Sequence, residues 1–429
     1  MAERRACETP MTVQTRLGDQ VLLDIPPHIL TDADHAGFRL ALACARARRD
    51  STDAAIRRSA AAVDNWPNAL KVIRRHRMVG LAHHALAGVD MPDNTRRALA
   101  MQAAEQARSG LALAGEALRL AQAFASGNLP VAFLKGPVLS HQLHGDLGRR
   151  HSRDLDLIVA PTDRERAAAL LATLGYRAEG DFDLSAAGVW TDRLNEWQYR
   201  HARSGIVVEL HWRFCPNHRM AEPLSRLATW SDVTIGAGRG LRTLTGDSLA
   251  AYLCLHGSLH AWSRLKWLAD LDALMSTQGP EAPERLLVFA ARAELTRPVG
   301  VGLALAATLL DMPLSQATRR QLVEDRALRA LGRTAIATMT TGHGSTELEA
   351  TRFGNTRVRL SHFRLGHGWP HWWAQAAAAM TSGADRAAIR LPAPLSPLYR
   401  VLRPLLWASR RLRPPQAGRP PRAEGPRER

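Results

Sequence analysis

Hydrophobic positions along the 429-residue chain follow two different spacings. From about Thr31 to Ala125, and again from about residue 218 to 345, apolar residues recur every three or four positions among Ala, Leu and Arg. That spacing predicts amphipathic helices. Between these regions, Val131–Leu134, Leu155–Val159 and Ile206–Trp212 are short apolar runs that predict buried strands. The pattern therefore predicts an α+β protein, in which a small mixed sheet lies between mostly helical N-terminal and C-terminal regions.

The same pattern divides the chain into six segments. These are a leader (1–29), a helical domain (30–126), an α/β core (127–216), a second helical domain (217–345), a Trp- and Arg-rich C-terminal segment (346–412) and a disordered basic tail (413–429). The leader contains a possible short strand at Val21–Ile25.

Local signals place further elements in the α/β core. Pro137–His144 is predicted to be a helix because Pro suits the first helical position. Thr162–Leu174 is predicted to be a helix that begins with a capping box, in which Glu165 follows the Thr162 cap by three residues. Trp197–His201 and Ile206–Trp212 flank Arg203-Ser204-Gly205, which predicts a hairpin.

Two carboxylates, Asp154 and Asp156, stand at the start of the second predicted strand. Because alternate residues of a strand share a face, both project the same way. Like charges held that close repel unless a cation lies between them, and Mg²⁺ is a hard ion that suits carboxylates. A lone Asp-x-Asp is more often a solvated turn or a helix cap. The buried strand after it, the glycine turn before it and Glu209 on a later strand favour a metal site.

These features resemble the polymerase-beta-type nucleotidyltransferase superfamily and, more narrowly, a bacterial family of uncharacterised nucleotidyltransferases. The segments that carry the resemblance are Leu134-Lys135-Gly136, Arg150, Asp154-Leu155-Asp156-Leu157, Leu174-Gly175-Tyr176, Val208-Glu209-Leu210-His211-Trp212, His256-Gly257, His260-x-Trp262 and Leu265-x-Trp267-x-x-Asp270. The similarity covers roughly residues 30–405.

The resemblance implies that Asp154, Asp156 and Glu209 hold catalytic Mg²⁺, with two ions expected. It implies transfer of a nucleotidyl group from a nucleoside triphosphate to an unknown acceptor hydroxyl, with release of pyrophosphate. The triphosphate is expected near Lys135, Gly136, Arg150 and Arg153. Two positions depart from the superfamily pattern: Pro137 follows the glycine in place of Ser, and Glu209 stands in place of Asp.

Composition and charge change the picture at one place, the C-terminus. Apolar residues make up 46% and charged residues 23% of the chain, as in ordinary globular proteins. The formal net charge is +17, and the segment from Arg386 to Arg429 contains eleven Arg and two acids, so it carries about half of the excess. Such a segment suits anionic partners, namely phosphates, nucleic acid or acidic membrane surfaces. The chain has three lysines, Lys71, Lys135 and Lys266, so Arg is its usual cation.

The four cysteines are far apart without a CxxC pair, which argues against a disulfide framework and a zinc ribbon. No apolar run follows the charged N-terminus, and Val299–Leu310 is too short to span a bilayer. We therefore expect a cytoplasmic protein.

Two other functions remain open from the sequence. The altered glycine turn fits a relative that binds a nucleotide or a partner without catalysis, and the basic segment 386–429 fits weak binding to an anionic membrane or nucleic acid. His256 and His260 are four residues apart and are expected to have packing or polar roles more often than metal binding. Metal binding by His211, Cys215 and His218 is disfavoured because Pro216 indicates a loop. The segment 364–378, dense in Trp and His, is expected to be exposed or interfacial.

Overall fold

The computed structural model describes residues 22–46, 52–179, 194–236, 240–351 and 353–380, together with five single positions between 389 and 406. The first part of the leader and the basic tail 413–429 lie outside the described residues. The strand predicted at Val21–Ile25 is wrong over its described part, because Leu22 and Leu23 are buried in irregular backbone against the helical core.

Helices form most of the described chain. The N-terminal helices are α1 (Pro27–Thr31), α2 (Ala36–Ala45), α3 (Thr52–Ala61), α4 (Trp66–Arg75), α5 (Val79–Ala85) and α6 (Asp93–Ser126). The central part contains β1 (Ala132–Phe133), α7 (Pro137–His144), β2 (Asp154–Ile158), α8 (Arg164–Thr173), β3 (Tyr176–Ala178), β4 (Glu196–His201), β5 (Val207–His211), α9 (His218–Leu227), β6 (Trp230–Thr234) and β7 (Gly240–Leu244). The C-terminal helices are α10 (Gly246–Leu259), α11 (Leu265–Thr277), α12 (Ala282–Arg292), α13 (Thr296–Leu309), α14 (Gln316–Glu324), α15 (Arg326–Thr340), α16 (Gly354–Ser361) and α17 (Gly368–Ala379).

Strands β1 to β5 form one sheet in the order β1-β2-β5-β4-β3. The central pair, β2 and β5, is parallel, whereas the other neighbours are antiparallel. The predicted hairpin between β4 and β5 is confirmed, and so is the α+β class with a small mixed sheet. This order places the two acid-bearing strands side by side in the middle of the sheet.

The two faces of the sheet differ because apolar and polar residues alternate along the central strands. Leu155 and Leu157 of β2 point to the same side as Val208 and Leu210 of β5, and all four are fully or almost fully buried. They pack in one apolar cluster with residues of α6 and α8. The opposite face of the same strands carries the carboxylates, so the helices that cover one face leave the acids on the other.

Apolar residues from distant parts of the sequence form a second, larger core. Buried side chains of α2 and α4 belong to the same cluster as those of α10, α11 and α13. Burial of this much apolar surface provides the main stabilisation of the helical regions. Within the described residues, no helix is both long and apolar enough to cross a membrane.

One local expectation was wrong, and two features of the mostly helical region 217–345 were not predicted. The helix predicted from Thr162 begins at Arg164, after a 3₁₀ turn over Pro161–Asp163, and no side-chain hydrogen bond caps it. The region 217–345 is not purely helical, because β6 and β7 pair as a hairpin in which Thr243 Oγ1 donates to the Phe133 carbonyl at 2.6 Å.

A second unpredicted feature of this region is a break in the helical segment Ser248–Met275. The chain breaks between α10 and α11, where Ala261 and Trp262 have positive φ angles of 46° and 49°. Gly257 permits the break, since a Cβ there would lie 2.8 Å from the Trp262 ring. His260 consequently lies just beyond the end of α10 and not inside a helix.

Candidate active site

The polar face of the central strands brings the predicted acids together. Asp154 and Asp156 alternate along β2, and the register pairs Asp156 with Glu209 of the parallel strand β5. On the other side of β5, the antiparallel register pairs Glu209 with Gln198 and His211 with Glu196. The result is a patch of acidic and imidazole side chains spread over three adjacent strands.

Ligand atoms of Asp156, Glu209 and His211 all lie within 4.8 Å of one another, a spacing that could hold a metal ion. Asp156 and His211 are buried, and Glu209 is partly exposed. Asp154 stands outside this group of three, although it lines the same cavity. Of the predicted triad, Asp156 and Glu209 therefore belong to this group, and His211 is its unexpected third member.

The Lys135 ammonium contacts the central carboxylate directly. Its Nζ lies 2.8 Å from Asp156 Oδ1 and 3.4 Å from His256 Nδ1. Lys135 lies in a tight turn between β1, which ends at Phe133, and α7, which begins at Pro137. Within this turn Gly136 has a φ of 74°. A positive φ with an extended ψ of −147° is open essentially to glycine alone, which accounts for the residue at position 136.

His211 lies among three carboxylates. Its Nδ1 is 3.0 Å from Glu196 Oε2, and its Nε2 is 3.4 Å from Asp156 Oδ1 and 3.8 Å from Glu209 Oε2. Burial disfavours a charged imidazole, but Glu196 and then Asp156 outweigh it and raise the pKa of His211 to about 10. The sequence predicted neither the contact between His211 and Glu196 nor the position of His211 among the acids.

The acids themselves respond to the crowding in different directions. Burial opposes ionisation of Asp156, yet the adjacent Lys135 and His211 hold its pKa well below the usual range. Burial, followed by repulsion from Asp156, raises the pKa of Asp154 and raises that of Glu209 to about 8. A divalent cation would relieve this repulsion, and carboxylate oxygens are the ligands that Mg²⁺ prefers, so the residues present fit such an ion.

A cavity of about 930 Å³ opens over the acidic face. All seven residues predicted for the site line it: Lys135, Gly136, Arg150, Arg153, Asp154, Asp156 and Glu209. Arg150 also forms an ion pair outside the acidic face, because its Nε lies 2.9 Å from both carboxylate oxygens of Asp270 on α11. The volume is that of a typical small-molecule site.

Among the described residues, four further cations line this cavity and were missed by the sequence reasoning. They are Arg77, Arg264, Lys266 and Arg359. Lys266 Nζ donates to the His151 carbonyl at 3.4 Å, and burial, followed by the nearby Arg150, lowers the pKa of Lys266 to about 7. Lys266 comes directly before Trp267 at the start of α11. The helical pattern of the sequence does not reveal that this part of α11 faces the sheet.

The structure gives different outcomes for the two other histidine groups considered from the sequence. His256 and His260 form an aromatic group with Trp267, with ring centroids 4.6 Å apart between the histidines and 4.9 Å between His260 and Trp267. This arrangement agrees with the packing and polar role expected for them. Cys215 Sγ donates to the Asn217 carbonyl and His218 is exposed, so these two are not gathered around His211.

The fold and this face together define an α+β protein with a carboxylate-lined, cation-rich cavity that is suited to a metal ion and an anionic ligand. A family model described as uncharacterised nucleotidyltransferase matches residues 63–311, which is more than half of the chain. The chain therefore belongs to this family. The matched residues include β1 to β7 and α10 to α13, and so the whole acidic face. No curated protein matches the chain.

Proposed function

We propose that this family member is a polymerase-beta-type enzyme that uses Mg²⁺ to transfer a nucleoside monophosphate from a nucleoside triphosphate to an acceptor hydroxyl. The observation that carries the proposal is the register between Asp156 and Glu209, which places two carboxylates side by side under a cavity lined with cations. Family membership supports nucleotidyl transfer in general. The Mg²⁺ requirement, the subtype and the acceptor are the proposed part.

Each side chain has a role that follows from its place. Asp154, Asp156 and Glu209 would hold the metal, which supplies Lewis-acid stabilisation of the charge that develops on the phosphate oxygens. Arg150, Arg153 and the backbone at Gly136 would position the triphosphate, and Lys135 would add positive charge beside Asp156. The acceptor oxygen attacks the α-phosphorus, the bond to the bridging oxygen breaks, and pyrophosphate leaves. Glu209 would accept the proton of the acceptor hydroxyl.

The direct test is incubation of the purified protein with each labelled nucleoside triphosphate and Mg²⁺. Mass spectrometry of the protein and of added cell extract would then detect a transferred nucleotidyl mass. We expect Asp154→Asn to abolish transfer while circular dichroism shows an intact fold, because the change removes a metal-binding charge. Unchanged transfer by this variant would contradict the proposal.

A second candidate is a protein of the same family that binds nucleotide without catalysis. The turn favours it, because Pro137 follows the glycine and offers neither a hydroxyl nor an N–H to a phosphate. Calorimetric titration with ATP, with and without Mg²⁺, separates the two. Metal-dependent binding with nucleotidyl transfer supports the enzyme, whereas metal-dependent binding without transfer for any nucleotide or extract supports the non-catalytic alternative.

A third candidate activity concerns the C-terminal surface. Trp369, Trp372 and Trp373 of α17 are 68%, 55% and 57% exposed, respectively, and residues 353–380 contain no Asp or Glu. Tryptophan favours the membrane–water interface, and an acid-free, arginine-bearing surface suits anionic lipid. We propose that this surface and the basic segment 386–429 bind weakly to anionic membranes.

Vesicle sedimentation tests this activity. We expect binding to phosphatidylglycerol vesicles but not to phosphatidylcholine vesicles, and a large loss when the three tryptophans are replaced by Ala. Replacement of the exposed Met101 and Leu111 on α6 by Ala is the matched control. Equal vesicle binding by both variants would refute a role for the tryptophans. If the protein binds nucleic acid and not vesicles, and deletion of 386–429 removes that binding, then nucleic acid is the partner of the basic segment.

A further inference from the structure

Lys135 has an unusual place for a cation in a site expected to bind metal ions. It is 8% exposed, and its ammonium group lies against the carboxylate at the centre of the acidic face. The contact is short, 2.8 Å from Nζ to Asp156 Oδ1, and the same oxygen is 3.4 Å from His211 Nε2. One side of this carboxylate is thus already occupied by a positive charge that belongs to the chain.

Two-metal sites hold their ions about 3.5–4 Å apart and share a carboxylate between them. Asp156 is the candidate for that shared group because it lies between Asp154 on its own strand and Glu209 on the next. An ammonium in contact with a shared carboxylate oxygen stands where one of the two ions would bind. We propose that the Lys135 ammonium fills one cation position, so that Asp154, Asp156 and Glu209 hold a single divalent ion. This inference rests on the proposed function.

The surroundings keep Lys135 in place. His256 Nδ1 lies 3.4 Å from Nζ, and the Tyr252 ring centroid lies 6.0 Å from it. Movement away from Asp156 would leave the buried Lys135 ammonium without its carboxylate partner, which is strongly unfavourable. An ion entering the site would therefore bind on the open side, toward Glu209, and would not displace the lysine.

The residue type agrees with this role. The chain uses lysine at three positions and arginine elsewhere among its 57 basic residues. A lysine ammonium is a compact point charge that can replace a small ion beside one carboxylate oxygen, whereas the planar fork of arginine cannot. Lys266, the other lysine of the cavity, donates to a backbone carbonyl and provides a matched comparison.

Counting bound Mn²⁺ tests the proposal without relying on activity. The full chain is titrated with Mn²⁺ in the presence of α,β-methylene ATP, and electron paramagnetic resonance measures the free ion. We expect one Mn²⁺ per chain for the wild type. Lys135→Met should raise the count to two because it frees the position beside Asp156. Lys266→Met, which removes a charge from the same cavity, should leave the count at one.

Two Mn²⁺ ions per wild-type chain would overturn the proposal, whether or not Lys135→Met folds. A folded Lys135→Met variant that still binds one ion would also overturn it. The proposed function fails differently, through absence of nucleotidyl transfer with every nucleotide. An enzyme that transfers nucleotide while holding two ions would keep the function and exclude the single-ion site.

Discussion

Arg150 and Asp270 form an ion pair whose side chains are 3% and 2% exposed. The pair connects the loop before β2 to α11, and Arg150 also donates to Ser152 Oγ at 3.3 Å. At the scale of single residues, this contact fixes the guanidinium beside the cavity and the loop that leads into Asp154. The predicted phosphate-binding arginine is therefore also a structural one.

Replacement of Asp270 tests the structural part of that role. Asp270→Ala leaves the buried Arg150 charge without its partner, so we expect the free energy of unfolding to fall by about 3–5 kcal/mol. Glu105→Ala is the control, because its partner Arg108 is 69% exposed and such pairs contribute less than about 1 kcal/mol. Urea denaturation measures both. Similar losses for the two variants would show that burial does not govern the Arg150–Asp270 pair.

At the scale of elements, the turn between β1 and α7 determines where Lys135 points. We expect Gly136→Ala to lower the free energy of unfolding by about 1–3 kcal/mol, because alanine disfavours the backbone conformation at this position. Gly115→Ala lies in the exposed interior of α6 with no atom within 4 Å of the added Cβ. It should raise stability by about 0.5–1 kcal/mol. Thermal unfolding of both variants would disprove the expectation if their shifts had the same sign.

The elements that build the site were predictable because their signals are local. Val131–Leu134 and Leu155–Val159 are apolar runs between turn residues, and the structure has strands in both, although β1 is only two residues long. Period-2 spacing also placed Asp154 and Asp156 on one face. The hairpin β6–β7 was missed because WSDVT and GLRTL lack strong alternation. It contacts β1 through the hydrogen bond from Thr243 Oγ1 to the Phe133 carbonyl.

The missed site residues depend on strand pairing, which no local spacing encodes. As a metal ligand, His211 was considered only together with Cys215 and His218, its neighbours in sequence. The register of β4 and β5 pairs it with Glu196 instead. A signal was available: once the hairpin is accepted, Glu196 and Gln198 must share a face with Glu209 and His211. Lys266 could not be found this way, since the packing of α11 against the sheet is a tertiary feature.

At the scale of the whole molecule, side chains of the N-terminal and C-terminal helices form one apolar core, and the fully buried His76 links the two groups. Its Nδ1 accepts a hydrogen bond of 3.1 Å from the Leu265 N–H, so the residue after α4 is joined to the start of α11. Burial, followed by the adjacent Arg75, lowers the pKa of His76 well below its usual value of 6.5.

The boundaries between the segments of the chain, expected after residues 126, 216 and 345, stay predictions.

His76 predicts a loss of stability in acid. The unfolded chain protonates His76 near pH 6.5 and the folded chain does not, so its contribution is complete above that pH and declines below it by up to about 1.4 kcal/mol per pH unit. His76→Asn keeps a carbonyl oxygen for the Leu265 N–H and removes the titration. We expect denaturant unfolding between pH 7.5 and 5.5 to show a shallower decline for the variant. Parallel declines would contradict the prediction.

The wall of the large cavity extends beyond the residues that define the family. Arg359 and Leu360 of α16 and Gln375 of α17 line it together with Asp156, yet all three follow residue 311, where the family match ends. The acidic face and the far wall thus come from two parts of the chain, one inside the family match and one beyond it. Substitutions in α16 or α17 would change the shape of the cavity without altering the acidic face.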